Sequence, residues 1–186
     1  MENISQNKQP QEKEHTMEKN CTAEFYDPVK EPWVAVRDAI MRIETEEGEE
    51  EALDEGELAH YFTDPKSTTV FLREEGTRRI VGYTNAVSAE GLYDEEFYPE
   101  RGGDPHTAYI MDTAIEQTHR GQHLVGKLMA ALEAELKRKG YTHIERDAAT
   151  DNRYAENIQK AYGERILFSE PHDSEYGPQV FFRIKL

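Results

Sequence analysis

The sequence predicts an α/β protein built on a mixed sheet, and three observations carry that expectation. Two β-rich runs, "STTVFLR" and "RRIVGYTNAV", flank the turn residues "EEGT" and read as a hairpin. An amphipathic helix lies between the strand-like runs "AYIMDTAIEQ" and "YTHIERDAA", with Val125, Leu128, Met129, Leu132 and Leu136 on one face. Two more β-rich runs, "RILFSEP" and "QVFFRIKL", close the chain. The stretch from Tyr109 to Ala148 is therefore a strand–helix–strand unit, which forms a parallel pair through a right-handed crossover.

Each element follows from local chemistry. The chain has 186 residues, the size of one domain. Residues 1–22 are polar and aperiodic and read as a disordered tail, with the folded domain over 23–186. A helix starts at Pro32, where a proline is tolerated in the first turn, and Trp33, Val36, Ile40 and Ile43 form its apolar face. The acidic run "ETEEGEEEALDEGE" reads as a solvated face or linker. A second helix is expected from about Glu50 to Phe62, with Leu53, Leu58, Tyr61 and Phe62 as anchors, ended by "TDPKS". After the hairpin comes a long loop, "SAEGLYDEEFYPERGGDPHT", of a length that often carries function. The third helix stops at Gly140. The fourth, "TDNRYAENIQKAYG", takes Asp151 or Asn152 as its cap and Gly163 as its stop. The expected order is helix, helix, strand, strand, strand, helix, strand, helix, strand, strand.

The formal net charge of -16 opposes nucleic acid binding, because no basic patch is segregated from the acid. "KRK" at Lys137 to Lys139 ends a helix, where cations offset the macrodipole. No apolar run approaches a membrane span and no apolar signal core opens the chain, so a cytoplasmic protein is expected. The single cysteine, Cys21, agrees. His119 and His123 have a metal-pair spacing but straddle a loop–helix junction without a third ligand, so no metal is expected. The acidity suits a small cationic partner.

The turn "THRGQHLVG" puts Arg120 and Gly121 at the head of the third helix. A helix N-terminus presents N–H groups without partners and a partial positive charge. A glycine there lets the backbone approach a pyrophosphate closely, and an arginine adds full charge. A basic turn that simply caps the helix is the alternative. His123 strains the loop if its position needs positive φ.

This turn resembles the cofactor loop of the GNAT superfamily of acyl-CoA N-acyltransferases, Arg-Gly-x-Gly-x-Gly/Ala. Arg120 and Gly121 match; His123 and Val125 depart from the pattern, and Gly126 comes one place late. The preceding "YIMDTAIEQTHRG" is similar to the family's Asp-Leu-Ala-Val-x-Pro-x-x-Arg-Gly through Asp112, Ala114 and Ile115, with Thr113 for leucine and Gln117 for proline. "TDNRYAEN" resembles the later Asn-x-x-Ala motif through Asn152 and Ala155; Gln159 stands where the family has tyrosine, and Tyr162 lies one turn on.

The resemblance implies a mostly antiparallel twisted sheet, with the strand at Asp112 splayed from its parallel neighbour and the pantetheine arm of acetyl-CoA in the gap. It implies that Thr113, Ala114 and Ile115, the turn residues Arg120, Gly121, Gln122, His123, Leu124, Val125 and Gly126, and Asn152 bind the cofactor. The activity implied is N-acetyl transfer to a small-molecule amine by direct attack, in a monomer or homodimer. The alternative is a non-catalytic acyl-CoA-binding or regulatory module, which the incomplete glycine pattern and missing tyrosine favour. Asp112 could take the amine's proton, anchor the amine by charge, or serve structure. Glu116 is expected to be more exposed and less involved. Tyr162 could protonate the leaving thiolate or be a core tyrosine. The acidic segments "EEGEEEALDEGE" and "LYDEEFYPERGGD" precede the basic loop, a split that would draw a cationic amine and an anionic cofactor to opposite ends of one cleft.

Overall fold

The computed structural model describes residues 20–46, 54–90, 92, 104–174 and 176–186. Their elements run β1 (Cys21–Phe25), α1 (Trp33–Thr45), α2 (Glu55–Thr63), β2 (Thr68–Glu74), β3 (Ile80–Ser88), β4 (Thr107–Ile115), α3 (Leu124–Arg138), β5 (His143–Ala149), α4 (Tyr154–Tyr162), β6 (Ile166–Ser174) and β7 (Gly177–Lys185). The seven strands form one sheet in the order β1-β2-β3-β4-β5-β7-β6. Every neighbouring pair is antiparallel except β4 and β5. No helix among the described residues is long and apolar enough to cross a membrane.

Helices cover both faces, and each face has its own core. Val36, Ile40 and Ile43 of α1 join Leu58 and Phe62 of α2, Phe71, Tyr83 and Ala114 on one side. Leu124, Leu128, Leu132 and Leu136 of α3 join Ala155, Ile158 and Tyr162 of α4, Ile110, Ile144 and Phe182 on the other. Leucines buried this fully contribute about 1.5–3 kcal/mol each. The α3 stripe is the expected one shifted at its start: Leu124 is buried, while Val125 is 38% exposed and turns outward.

Several expectations need correction. Cys21 and Thr22, placed in the tail, belong to β1, which pairs antiparallel with β2 at the sheet edge. Cys21 is buried, and its carbonyl accepts from Lys127 Nζ at 3.2 Å. The strand was missed because five residues with one buried side chain give little alternation to read. The second helix starts at Glu55 because Asp54 forms a capping box with Glu57, five residues later than expected; Leu53 lies outside the described residues. The fourth helix is entered through Arg153 at φ 65°, while Asn152 only accepts from the Tyr154 N–H at 2.9 Å. Glu116 is 4% exposed rather than open.

Two irregularities shape the centre of the sheet. β4 and β5 pair only at Thr107–His143, Ala108–Ile144 and Tyr109–Glu145, then part. In the β3–β4 ladder Asn85 faces Asp112 but Ala86 faces Ile110, so Met111 is an extra residue. Such a bulge bends a strand and re-aims its side chains. Before it, Ala108 and Ile110 point to the α3–α4 core; after it, Ala114 points to the α1–α2 core and Ile115 to the α3–α4 core.

Candidate active site

The parted strands β4 and β5 open a cleft with a cavity on each side. One, of about 720 Å³, is lined by Thr113, Ile115, His119, Arg120, Gly121, His123, Leu124, Val125, Gly126 and Met129, and closed by Arg146, Tyr154 and the inner face of α4. The other, of about 640 Å³, is lined by Tyr109 through Thr113, by Arg146, Asp147 and Tyr154, and by His172, Asp173, Ser174, Tyr176 and Gln179 from the β6–β7 hairpin. Thr113, Arg146 and Tyr154 line both.

The first cavity gathers most of the expected cofactor residues. The turn is built by two left-handed residues, Gly121 at φ 76° and His123 at φ 58°. The second glycine of the family pattern is therefore replaced by a histidine in a conformation that favours glycine. Helix α3 begins at Leu124 with its N-terminus at this wall and without a side-chain cap, so its first N–H groups and dipole suit a phosphate. Arg120 is held by its Nε, which donates to the Ile115 carbonyl at 2.8 Å. Val125 and Leu124 add apolar wall. Three expected residues lie elsewhere. Ala114 is buried in the α1–α2 core because the bulge fixes its parity. Gln122 turns back to the Thr118 carbonyl at 3.4 Å. Asn152 closes the turn before α4.

A buried carboxylate steadies this turn from behind. Glu116 accepts from Arg42 Nε at 3.2 Å and Arg79 Nη1 at 2.5 Å. His119, fully buried, stands 3.1 Å from Glu116 and 3.5 Å from Glu74, and so belongs to this cluster, while His123 is exposed on the turn.

The second cavity is acidic. Asp112 lines it, with Oδ1 accepting from the Thr113 N–H at 2.6 Å and Oδ2 accepting from the Tyr83 hydroxyl. Tyr83 is fully buried and its oxygen also lies 2.5 Å from Glu44. Burial, followed by the charges of Asp112 and Glu44, pushes the Tyr83 hydroxyl well above its ordinary pKa, so it stays protonated and donates. Beside Asp112, Asp147 accepts from the Tyr109 hydroxyl at 2.7 Å and faces His172 Nε2 at 2.6 Å. A carboxylate on one ring nitrogen fixes the imidazole and leaves the other nitrogen to act. Asp147 and His172 were missed by sequence reasoning, since β5 and β6 are separated by β7 and meet only across the sheet.

At the junction, Arg146 is 4% exposed. Its Nη2 donates to the Tyr154 hydroxyl oxygen, and its Cζ lies 4.8 Å from the centre of the Tyr154 ring. Tyr162 lines the first cavity only. Burial, then the charge and hydrogen bond of Glu133, raise its hydroxyl pKa, so it keeps its proton and donates a hydrogen bond to Glu133. Arg146 left a trace in the sequence: three consecutive charged residues, Glu145 to Asp147, in a central strand are costly without a use. Most residues of the two acidic segments, 47–53 and 93–103, lie outside the described ones.

A model of the acetyltransferase (GNAT) family matches residues 33–163. The chain belongs to that family. No curated protein sequence matches the chain. Among solved structures, the GNAT fold recurs in the ribosomal-protein-S18-alanine N-acetyltransferase of Escherichia coli, at 13% identity and a TM-score of 0.62, over 89% of this chain and 94% of that one. It recurs in yncA of Salmonella typhimurium, solved with its cofactor acetyl-CoA, at 16% identity and 0.62, over 90% and 94%. It recurs again in an aminoglycoside 6'-N-acetyltransferase complexed with coenzyme A, at 14% and 0.62, over 88% and 96%. At these identities the likeness is one of fold. The family match spans the GNAT turn at Arg120, the splayed β4 and helix α4.

Proposed function

We propose that this chain transfers the acetyl group of acetyl-CoA to the nitrogen of a small cationic primary amine by direct attack. The observation that carries the reading is the pair of cavities that meet across the parted strands, one beneath a helix N-terminus with Arg120, the other lined by Asp112, Asp147 and Asp173. The first suits the anionic diphosphate and apolar arm of the cofactor. The second suits an ammonium group. Thr113, Arg146 and Tyr154, common to both, bound the space where thioester and amine would meet.

Each chemical part has a residue to supply it. The amine must lose a proton to attack, and His172, oriented by Asp147, accepts it. Asp112, whose oxygens already accept from Tyr83 and Thr113, anchors the ammonium by charge. The bulge leaves Met111 without a cross-strand partner, and this backbone polarises the thioester carbonyl. Tyr154 protonates the departing sulfur: its oxygen accepts from Arg146, which leaves its own O–H to donate. Tyr162 is less suited, since its O–H is already engaged by Glu133.

The test is thiol release from acetyl-CoA across polyamines, aminoglycosides, amino acids, peptides and an acidic amine, at low and high salt. The expected result is turnover of a polyvalent cation, with kcat/KM falling as salt rises. Acetyl-CoA binding without release from any amine would instead establish a non-catalytic acyl-CoA module. A better rate with the acidic amine at low salt would overturn the cationic acceptor.

A further inference from the structure

Among the described residues, the buried guanidinium of Arg146 has no ion-pair partner. Arg146 lies on β5 with 4% of its surface exposed, and its Nε has no hydrogen-bond partner among the described residues. Its other nitrogens meet a thioether, Met129 Sδ at 3.8 Å, and the Tyr154 phenol oxygen. None of these is anionic. A guanidinium is always charged, and burying one without an anion is expensive. Its neighbours on β5 do not relieve it: successive side chains of a strand point to opposite faces, Glu145 is engaged by Arg183 at 2.6 Å, and Asp147 by Tyr109 and His172. Other titratable groups that line the two cavities with it are the phenols of Tyr154 and Tyr162 on α4 and of Tyr109 on β4, with Asp112, Asp173 and His172 across the second cavity and His119, Arg120 and His123 along the first.

We propose that Arg146 is a catalytic residue that holds the sulfur of coenzyme A as the leaving thiolate. This rests on the acyl-CoA reading above. In the reaction, a bond forms between the amine nitrogen and the acyl carbon, and the carbon–sulfur bond breaks with its electron pair going to sulfur. The ammonium proton that His172 takes before attack leaves to solvent. The nitrogen's second proton, lost as the amide forms, passes to His172 in turn, the sulfur gains one from Tyr154, and water returns a proton from His172 to the Tyr154 phenolate. Negative charge thus appears on sulfur at the junction of the two cavities, where Arg146 supplies the one buried cation among the residues lining both. Arg146 also lies on the α3–α4 side with Met129 and Tyr154, the side of the cavity beneath Arg120. The cost of the unpaired charge in the free protein is returned when sulfur becomes anionic, which is stabilisation selective for the transition state.

The consequence can be read without knowing the acceptor. A cation within contact of a thiol lowers its pKa by about 1–3 units. Coenzyme A is bound to the full-length protein at saturation, and thiolate absorbance is followed against pH. The same protein saturated with desulfo-coenzyme A is subtracted, which removes Cys21 and the tyrosines. The bound thiol is expected to ionise about one pH unit or more below free coenzyme A. Arg146→Gln should return it to the free value or above, and Arg146→Lys should keep part of the shift, with desulfo-coenzyme A affinity little changed in both. A wild-type thiol that ionises at or above the free value overturns the proposal whatever the variants do, as does an unchanged shift in folded Arg146→Gln. Failure of coenzyme A to bind at all overturns the acyl-CoA reading itself, and the role of Arg146 with it.

Discussion

Replacing Glu116 by glutamine tests how the cofactor turn is held. The carboxylate is 4% exposed, directly precedes the turn, and is bonded by Arg42 and Arg79. Both arginines donate to the same oxygen, Oε1, which the amide can keep, so the loss is the charge assistance that lifts such a bond from about 1 kcal/mol to about 1.5–3 kcal/mol. The arginine side chains are 40% and 39% exposed, so water recovers part of the lost attraction. A net loss of about 2 kcal/mol follows, which in a chain of this size lowers Tm by about 4–8 °C. The pH dependence fixes the cause. Burial raises the Glu116 pKa, but the Arg79 hydrogen bond and the charges of Arg79 and Arg42 outweigh it and hold the group below 4.5. Its stabilisation is therefore fully present above 4.5 and is lost as pH falls through the lower folded value. Urea melts of wild type and Glu116→Gln should differ most near neutrality and converge in acid. Equal stability at neutral pH, or a gap that persists unchanged in acid, would refute the argument.

Three further outcomes bear on the site. Tyr154→Phe should lower turnover about 100-fold with little change in acetyl-CoA affinity, as for a lost proton donor, whereas Tyr162→Phe should cost about 1 kcal/mol of stability and little turnover; the reverse pattern would hand the acid role to Tyr162. Gly121→Glu puts a side chain at φ 76° and a negative charge against the phosphate site, so acetyl-CoA affinity by calorimetry should fall at least about tenfold, and unchanged affinity in a folded variant would sink the site. At Gly82 an added Cβ meets the Ala114 carbonyl oxygen at 2.9 Å and Ile115 Cγ1 at 3.0 Å. Gly82→Ala should thus cost about 1–3 kcal/mol and weaken acetyl-CoA binding through Ile115, and a melt identical to wild type would show that the strands yield.

The elements with strong local signals were legible in the chain. The α3 stripe, the "EEGT" hairpin and the parallel crossover each follow from period, turn chemistry or handedness, and the structure has them. The basic, glycine-bearing turn before α3 was legible too, and the structure has it with Gly121 at φ 76°. Residues whose role depends on a partner far along the chain were not. Asp147 gains meaning from His172, 25 residues away across an intervening strand, and Glu116 from Arg42, 74 residues away.

By itself, then, the sequence determined the kinds of element and their order from α1 onward, since these depend on neighbours within a few residues. The tertiary structure decided which way each polar side chain of β4 and β5 faces. One extra residue at Met111 sets the parity that sends Ala114 to one core and Ile115 to the other. No periodicity reports such a bulge, because it is fixed by the pairing of β3 with β4 rather than by either strand alone. The same holds for Arg146: its charge is plain in the sequence, but that it is buried at the meeting of two cavities, with no ion-pair partner among the described residues, is a property of the packed sheet and helices.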